Sequence, residues 1–263
     1  MQTKITSRQN PLVVRLSKLS DKKHRDEEGL FRLDGVKLIS EALMNGVLPE
    51  YVFVTDDMSA SGFLKEIPDD RLYTVTDEVL AKLTDEKAPQ GIAAFIRMDG
   101  VKNITFTDCP GGAMDHRVLL LSSIRDPGNV GTIIRSACAM GLDRVYLSAD
   151  CADIFSPKTM RASMGMALRQ KITVVGSDVR LVTALRRGGT EVFAAALRDG
   201  SARLGEFSLP ERVCFVIGNE GHGLSDELID ACGGTVIIPM VPGCESLNAA
   251  MAAGIISWEM RRV

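Results

Sequence analysis

The apolar positions of this chain change their period partway along, and the change divides it in two. Near the start, Leu12, Val13, Leu16 and Leu19 fall at helical spacing behind Asn10-Pro11, which leaves Arg15, Lys18 and Lys22 on the opposite face of a predicted helix. Residues 30–34 alternate as a strand, 36–44 read as a helix, and 51–54, 72–75 and 92–96 supply further short strands. This pattern predicts a small mixed α/β domain over residues 1–98. Periodicity then lapses: Asp99-Gly100, Asp108-Cys109-Pro110-Gly111-Gly112 and Asp115 cluster as breakers, so 99–116 is predicted to be a linker. From 118 onward, nearly continuous apolar runs at 118–121, 144–147, 172–175, 191–196, 213–217 and 235–238 alternate with helical stretches at 130–140, 157–168, 179–187, 225–231 and 247–261. Short strands that are apolar on both faces need cover on both faces, so 117–263 is expected to be an α/β domain with a mostly parallel sheet.

Composition leaves this picture intact and narrows the class. With 263 residues, 45% apolar and 25% charged, the chain has the makeup of a packed globular protein, which excludes a disordered one. The opening residues lack the apolar run of a secretory signal, and no stretch of about 18 apolar residues occurs, so a cytoplasmic protein outside the membrane is expected. Six scattered cysteines without a C-x-x-C pair or nearby histidines predict reduced thiols and no metal site.

Charge changes the picture more. The net charge is only −3, yet the first 25 residues hold seven Lys or Arg against the single acid Asp21. Arg8, Arg15, Lys18, Lys22, Lys23 and Arg25 are therefore candidates for contacting a polyanion. A second acid-free stretch, 154–177, adds Lys158 and Arg161 together with Arg169 and Lys171. Each patch could equally be a solvated helix face.

Ligands of α/β sheets bind where strands end at their carboxyl termini, which directs attention to three loops. Asp126-Pro127-Gly128-Asn129-Val130-Gly131 follows the 118–121 strand; Asn129 can cap the next helix, and Arg135 lies one turn beyond Gly131. The bland alternative makes Asn129 only a cap and Arg135 only a surface cation. Ile217-Gly218-Asn219-Glu220-Gly221-His222-Gly223 exposes backbone groups without side-chain obstruction and carries one carboxylate. It is neither a phosphate-binding loop nor a dinucleotide fingerprint. Ile238-Pro239-Met240 leads to Ser246-Leu247-Asn248 and an Ala-rich helix, where Ser246 could serve as an N-cap or act in catalysis.

The order Asn-x-Gly-x-x-x-Arg (Asn129, Gly131, Arg135), Ile-Gly-Asn-Glu-Gly-x-Gly (217–223), Ile-Pro-Met and Ser-Leu-Asn (238–240 and 246–248) resembles the three motifs of the SpoU, or TrmH-like, branch of the SPOUT RNA methyltransferases. The N-terminal part is similar to that family's RNA-binding domain at 7–11, 31–35 and 89–92, with Asp34 standing where the family pattern Phe-x-x-Glu-Gly has Glu. The resemblance implies a deep trefoil knot, a homodimer, and S-adenosylmethionine held by positions matching Leu197, Gly218, Ile238 and Leu247. It implies methyl transfer to a ribose 2′-hydroxyl in ribosomal or transfer RNA, with ribosomal RNA preferred because an appended N-terminal domain of this kind is typical of the ribosomal members. It also implies Asn129, Arg135, Glu220, Ser246 and Asn248 at the active site. No metal is implied.

Because guanidinium stays protonated at neutral pH, Arg135 is expected to grip the phosphate and steady the developing alkoxide instead of acting as the base. The phosphate itself or Glu220 would then take the proton. His24, His116 and His222 form no recognisable catalytic arrangement. Two other readings stay open at this point: a non-catalytic RNA binder that keeps the fold, and methylation of a base nitrogen.

Overall fold

The structure, a computed structural model, describes residues 3–59, 62–84, 88–108, 115–219, 221–241, 243 and 246–262. Its first elements are β1 (Thr3–Ile5), α1 (Pro11–Ser17), α2 (Lys22–Glu28), β2 (Leu30–Asp34), α3 (Val36–Met44), β3 (Tyr51–Thr55), β4 (Leu72–Val75), α4 (Asp77–Thr84) and β5 (Ile92–Arg97). Then come β6 (Ile104–Thr107), β7 (Arg117–Leu121), α5 (Pro127–Met140), β8 (Arg144–Ser148), α6 (Pro157–Ala162), β9 (Ile172–Val175) and α7 (Asp178–Arg187). The chain closes with β10 (Glu191–Ala195), β11 (Ala202–Arg203), β12 (Val213–Ile217), α8 (Asp226–Ala231), β13 (Gly234–Ile237) and α9 (Ala249–Arg262). These gather into two compact units, Met1–Lys102 with Asp153–Leu168, and Asn103–Ala152 with Arg169–Val263.

The first unit is built on a mixed sheet in the order β1-β4-β3-β5-β2. Strands β1, β4 and β3 run parallel, and β5 opposes both β3 and β2. Val13 and Leu16 of α1 and Val79 and Leu83 of α4 pack with Phe53 and Phe95 in one core. Asn10 caps α1 by accepting the Leu12 N–H at 2.9 Å, and Pro11 occupies a first-turn position where no donor is needed. The helical periodicity does not continue as a single helix. After Ser17 a tighter turn follows, and Asp21 starts α2 by accepting the Lys23 N–H at 2.8 Å.

Residues 153–168 belong to this unit, although a division at 117 places them in the other, and three contacts explain why. Arg25 is 2% exposed; it donates to Asp153 at 2.5 and 3.1 Å and to the carbonyls of Leu19 and Ser20 at 2.8 and 2.7 Å. Asp34 pairs with its strand neighbour Arg32 at 2.8 Å and with Arg161 at 3.0 Å. The rings of Phe31 and Phe155 lie 4.8 Å apart. Asp153, Phe155 and Arg161 lie far in sequence from Arg25, Phe31 and Asp34, so no local pattern announces these pairs. They also split the second basic stretch: Lys158 and Arg161 fall in the first unit, Arg169 and Lys171 in the other.

The second unit is an eight-stranded sheet in the order β11-β13-β10-β12-β7-β8-β9-β6, and every pairing in it is parallel. Val118, Leu120, Val192 and Val216 pack with Leu181 and Leu185 of α7 and Leu228 of α8. The alternate positions Leu119, Leu121, Val145, Phe215 and Ile217 are buried too, so both faces are covered, as near-continuous apolar strands require. The stretch predicted as a linker corrects that expectation at Ile104–Thr107, which pairs with β9 as an edge strand. Its alternation is short and flanked by breakers, which hides it from pattern reading. No helix is long and apolar enough to cross a membrane among the described residues.

Candidate active site

Three neighbouring strands, β13, β10 and β12, end side by side, and a cavity of about 790 Å³ opens at their carboxyl ends. Ala196 and Leu197 come from beyond β10, Gly218 and Asn219 from β12, Ile238 and Met240 from β13, and Ser246 and Leu247 from the approach to α9, whose Ala249 and Ala252 form another wall. All four positions expected to hold a cofactor, Leu197, Gly218, Ile238 and Leu247, therefore line one space. Its volume lies within the range of small-molecule pockets, and its lining combines apolar side chains with backbone groups at strand ends.

Gly218 is required here by close approach. A Cβ at this position would sit 2.6 Å from the Gly223 carbonyl carbon and 2.7 Å from its oxygen. The loop folds back on itself: Asn219 and Gly223 form an antiparallel bridge, with the Gly223 N–H donating to the Asn219 carbonyl at 2.8 Å. The Asn219 side chain secures the turn, its oxygen accepting from the N–H of Gly221 at 2.8 Å and of His222 at 3.4 Å. Glu220, the predicted acidic member of this loop, lies outside the described residues.

Two capping expectations are corrected. Helix α5 starts at Pro127 and is capped by Asp126, whose side chain accepts the Asn129 N–H at 2.8 Å, so Asn129 sits inside the first turn and is not the cap. Helix α9 starts at Ala249, and Asn248 caps it, its amide oxygen accepting from Ala250 and Met251 at 2.9 and 3.3 Å. Ser246 lies before that cap, exposed on the cavity. The other end of the Asn248 amide donates to the Asn129 side-chain oxygen at 3.2 Å, joining the first and third motifs across 119 positions of sequence.

Arg135 is exposed on α5 and forms no ion pair or hydrogen bond among the described residues; it is not part of the cavity wall. Of the basic residues expected at an RNA surface, Arg8, Arg15, Lys18, Lys22, Lys23, Lys158 and Arg161 are exposed. Arg15 reaches the Tyr51 hydroxyl at 3.1 Å, Lys22 pairs with Asp26 at 2.6 Å, and Arg161 shares Asp34. Arg25 corrects the expectation outright, because its guanidinium is buried and spent on Asp153 and two carbonyls. Cys138, Cys151, Cys214 and Cys232 are free thiols, and burial pushes Cys232 up to about 11 and raises Cys214 and Cys151, so these three stay protonated and inert as nucleophiles.

Sequence patterns did not single out the side chains of Asn219, Ser123 and Asp150, which hydrogen bonds join beside the glycine loop: the Ser123 hydroxyl donates to Asp150 at 2.7 Å and the Asn219 amide to the Ser123 carbonyl at 2.9 Å. The signal for Ser123 and Asp150 was a run of small polar residues, Ser122-Ser123 and Ser148, at the carboxyl ends of the adjacent strands β7 and β8.

Comparison with known proteins finds similarity over nearly the whole chain. A model described as the SpoU rRNA Methylase family matches residues 116–258, and one described as an MRM3-like substrate binding domain matches residues 10–94. An uncharacterized tRNA/rRNA methyltransferase of Synechocystis sp. is 33% identical, covering 98% of this chain and 93% of its own length. The 23S rRNA (guanosine(2553)-2'-O)-methyltransferase RlmP of Bacillus subtilis is 32% identical, covering 98% of each chain. Among solved structures, the AdoMet-bound rRNA methyltransferase from Sinorhizobium meliloti superposes with a TM-score of 0.84 at 29% identity, covering 99% of this chain and 97% of that one.

Proposed function

This chain belongs to the SpoU rRNA methylase family, and on that footing we propose that it transfers a methyl group from S-adenosylmethionine to a ribose 2′-hydroxyl of ribosomal RNA. The observation that carries this reading is the convergence of residues from separate motifs on one cavity, with Asn129 and Asn248 joined beside it. The cavity suits the cofactor: its walls at Leu197, Ile238 and Leu247 offer apolar contact, and Gly218 and Gly223 bring loop backbone to its edge without side chains. When bound, S-adenosylmethionine supplies an electrophilic methyl group.

The rest of the mechanism falls to this chain's residues. Ser246 and the Asn129–Asn248 pair orient the ribose, and much of the rate comes from holding its hydroxyl in line. Arg135 holds the neighbouring phosphate through paired N–H groups and stabilises the charge that develops on the oxygen. Its proton passes to the phosphate or to Glu220; a pH–rate profile unchanged in Glu220→Gln would remove the carboxylate from that role.

In this reading the first unit binds the RNA through Arg8, Arg15, Lys18, Lys22, Lys23, Lys158 and Arg161, in the cytoplasm, and the segment around the cavity carries the family's trefoil knot. The chain works as a homodimer, which brings Arg135 to the partner's cofactor. Support for the dimer comes from α9, where Met251 and Trp258 are 58% and 56% exposed and share one face with Gly254. Trp258→Arg should convert the dimer to a monomer in sedimentation equilibrium and abolish turnover. The direct test of function is nucleotide-resolution mapping of ribose methylation in ribosomal RNA from cells with and without the gene. One ribose methyl group should disappear, and an unchanged map would overturn the reading.

A further inference from the structure

Outside the cavity, a polar cluster at the ends of β7 and β8 has no part in the mechanism above. Ser123 holds a φ of 57°, one of two non-glycine residues with positive φ among the described residues. That conformation is costly for a serine and persists only when neighbouring contacts impose it. Here three do so. The Ser123 N–H donates to the Ser148 hydroxyl at 2.8 Å, the Ser123 hydroxyl donates to Asp150 at 2.7 Å, and the Ser148 hydroxyl donates to the other Asp150 oxygen at 2.6 Å.

The cluster faces the glycine loop. In its left-handed turn Ser123 presents its carbonyl to the Asn219 side chain, which donates at 2.9 Å. Asn219 is the residue whose amide oxygen gathers the N–H groups of Gly221 and His222 and whose carbonyl receives that of Gly223. Gly218, Asn219 and Gly223 in turn line the cavity. The contacts thus form one line from a carboxylate to the pocket wall: Asp150, Ser123, Asn219, glycine loop.

We propose that Asp150 is a positioning residue for cofactor binding: by clamping Ser123 in its left-handed conformation it sets the Asn219 amide, and through it the wall of the pocket. The inference rests on reading that pocket as the S-adenosylmethionine site. Arg125, 3.4 Å from Asp150, is its exposed counter-charge and not a member of the line. The anion is favoured as well: burial works against it, but the hydroxyls of Ser148 and Ser123 and the Arg125 guanidinium outweigh burial and hold the carboxyl below its ordinary value. Asp150 touches neither cofactor nor substrate in this account.

The test uses the full chain and three variants, Asp150→Ala, Ser123→Gly and the double variant. Glycine adopts a positive φ without a clamp, so Ser123→Gly should make Asp150 dispensable. Titration calorimetry with S-adenosylmethionine should show roughly tenfold weaker binding in Asp150→Ala and near-native binding in the double variant. Steady-state kinetics should show the KM for S-adenosylmethionine rising in parallel while kcat stays within about threefold. A residue that merely supported the fold would lower kcat and the amount of active protein together.

Hydrogen exchange of the ligand-free chain gives an independent readout. The Gly221 and Gly223 amides should exchange at least about threefold faster in Asp150→Ala and return toward native rates in the double variant. Native affinity and exchange in Asp150→Ala, or a double variant no better than the single one, would overturn the proposal. Failure of the wild-type chain itself to bind S-adenosylmethionine would instead remove the functional reading, while exchange would still decide whether Asp150 holds the loop.

Discussion

Gly218→Ala isolates the geometry on which the pocket depends. The added Cβ would lie 2.6 Å from the Gly223 carbonyl carbon, 2.7 Å from its oxygen and 2.9 Å from a Leu224 methyl group. Leu224 can turn aside, but the backbone has to retreat by 3.4 − 2.6 = 0.8 Å to reach ordinary contact. That retreat breaks the 2.8 Å hydrogen bond from the Gly223 N–H to the Asn219 carbonyl. Overpacking of this kind costs about 1–3 kcal/mol and the lost hydrogen bond about 1 kcal/mol, a sum of about 2–4 kcal/mol concentrated in the loop that walls the cavity. At about 1.4 kcal/mol per factor of ten, the dissociation constant for S-adenosylmethionine should rise roughly 30- to 1000-fold. Titration calorimetry measures it directly. Gly100→Ala, where a Cβ meets nothing within 4 Å, serves as the control and should bind normally. A Gly218→Ala chain that binds within threefold of wild type would refute the close-approach argument.

Other consequences are as direct. Arg135→Lys keeps the charge but loses the planar pair of donors, so kcat should fall by about 10²-fold or more in single-turnover assays while S-adenosylmethionine affinity is retained; near-native turnover would rule out bidentate gripping. Arg25→Met breaks a buried pair and should lower the stability of the chain by about 3 kcal/mol in urea unfolding, without changing the salt dependence of RNA binding. Lys18→Ala should do the reverse, reducing the slope of log K against log salt by about 1 at unchanged stability. Asp150 titrates below its ordinary 3.8, so its contribution to stability is complete above that pH and is lost as pH falls through the lower folded value. Acid unfolding curves of wild type and Asp150→Asn should therefore converge below about pH 4 and separate above it; a constant offset at every pH would contradict the assignment.

Local information was enough for much of this protein. The apolar runs at 118–121, 144–147, 172–175 and 213–217 identified strands because their neighbours on both faces are apolar whatever the register, and the glycine-rich loop after Ile217 marked the pocket because close backbone approach excludes side chains. The choice of helix cap was not legible, since Asp126 and Asn129, or Ser246 and Asn248, are chemically equal candidates until the first helical residue is known. Nor was the fate of like charges: Arg25 and Lys22 look alike in sequence, and only the arrival of Asp153 from 128 residues away buries one and leaves the other in solvent. The same holds for Asn129 with Asn248 and for Ser123 with Asn219. Periodicity and spacing report what a residue needs from its nearest turns of chain. Which distant group satisfies a buried charge or a side-chain amide is decided when the strands assemble, because an unpaired polar group in the interior is too costly to leave and the partner is whichever one the topology delivers.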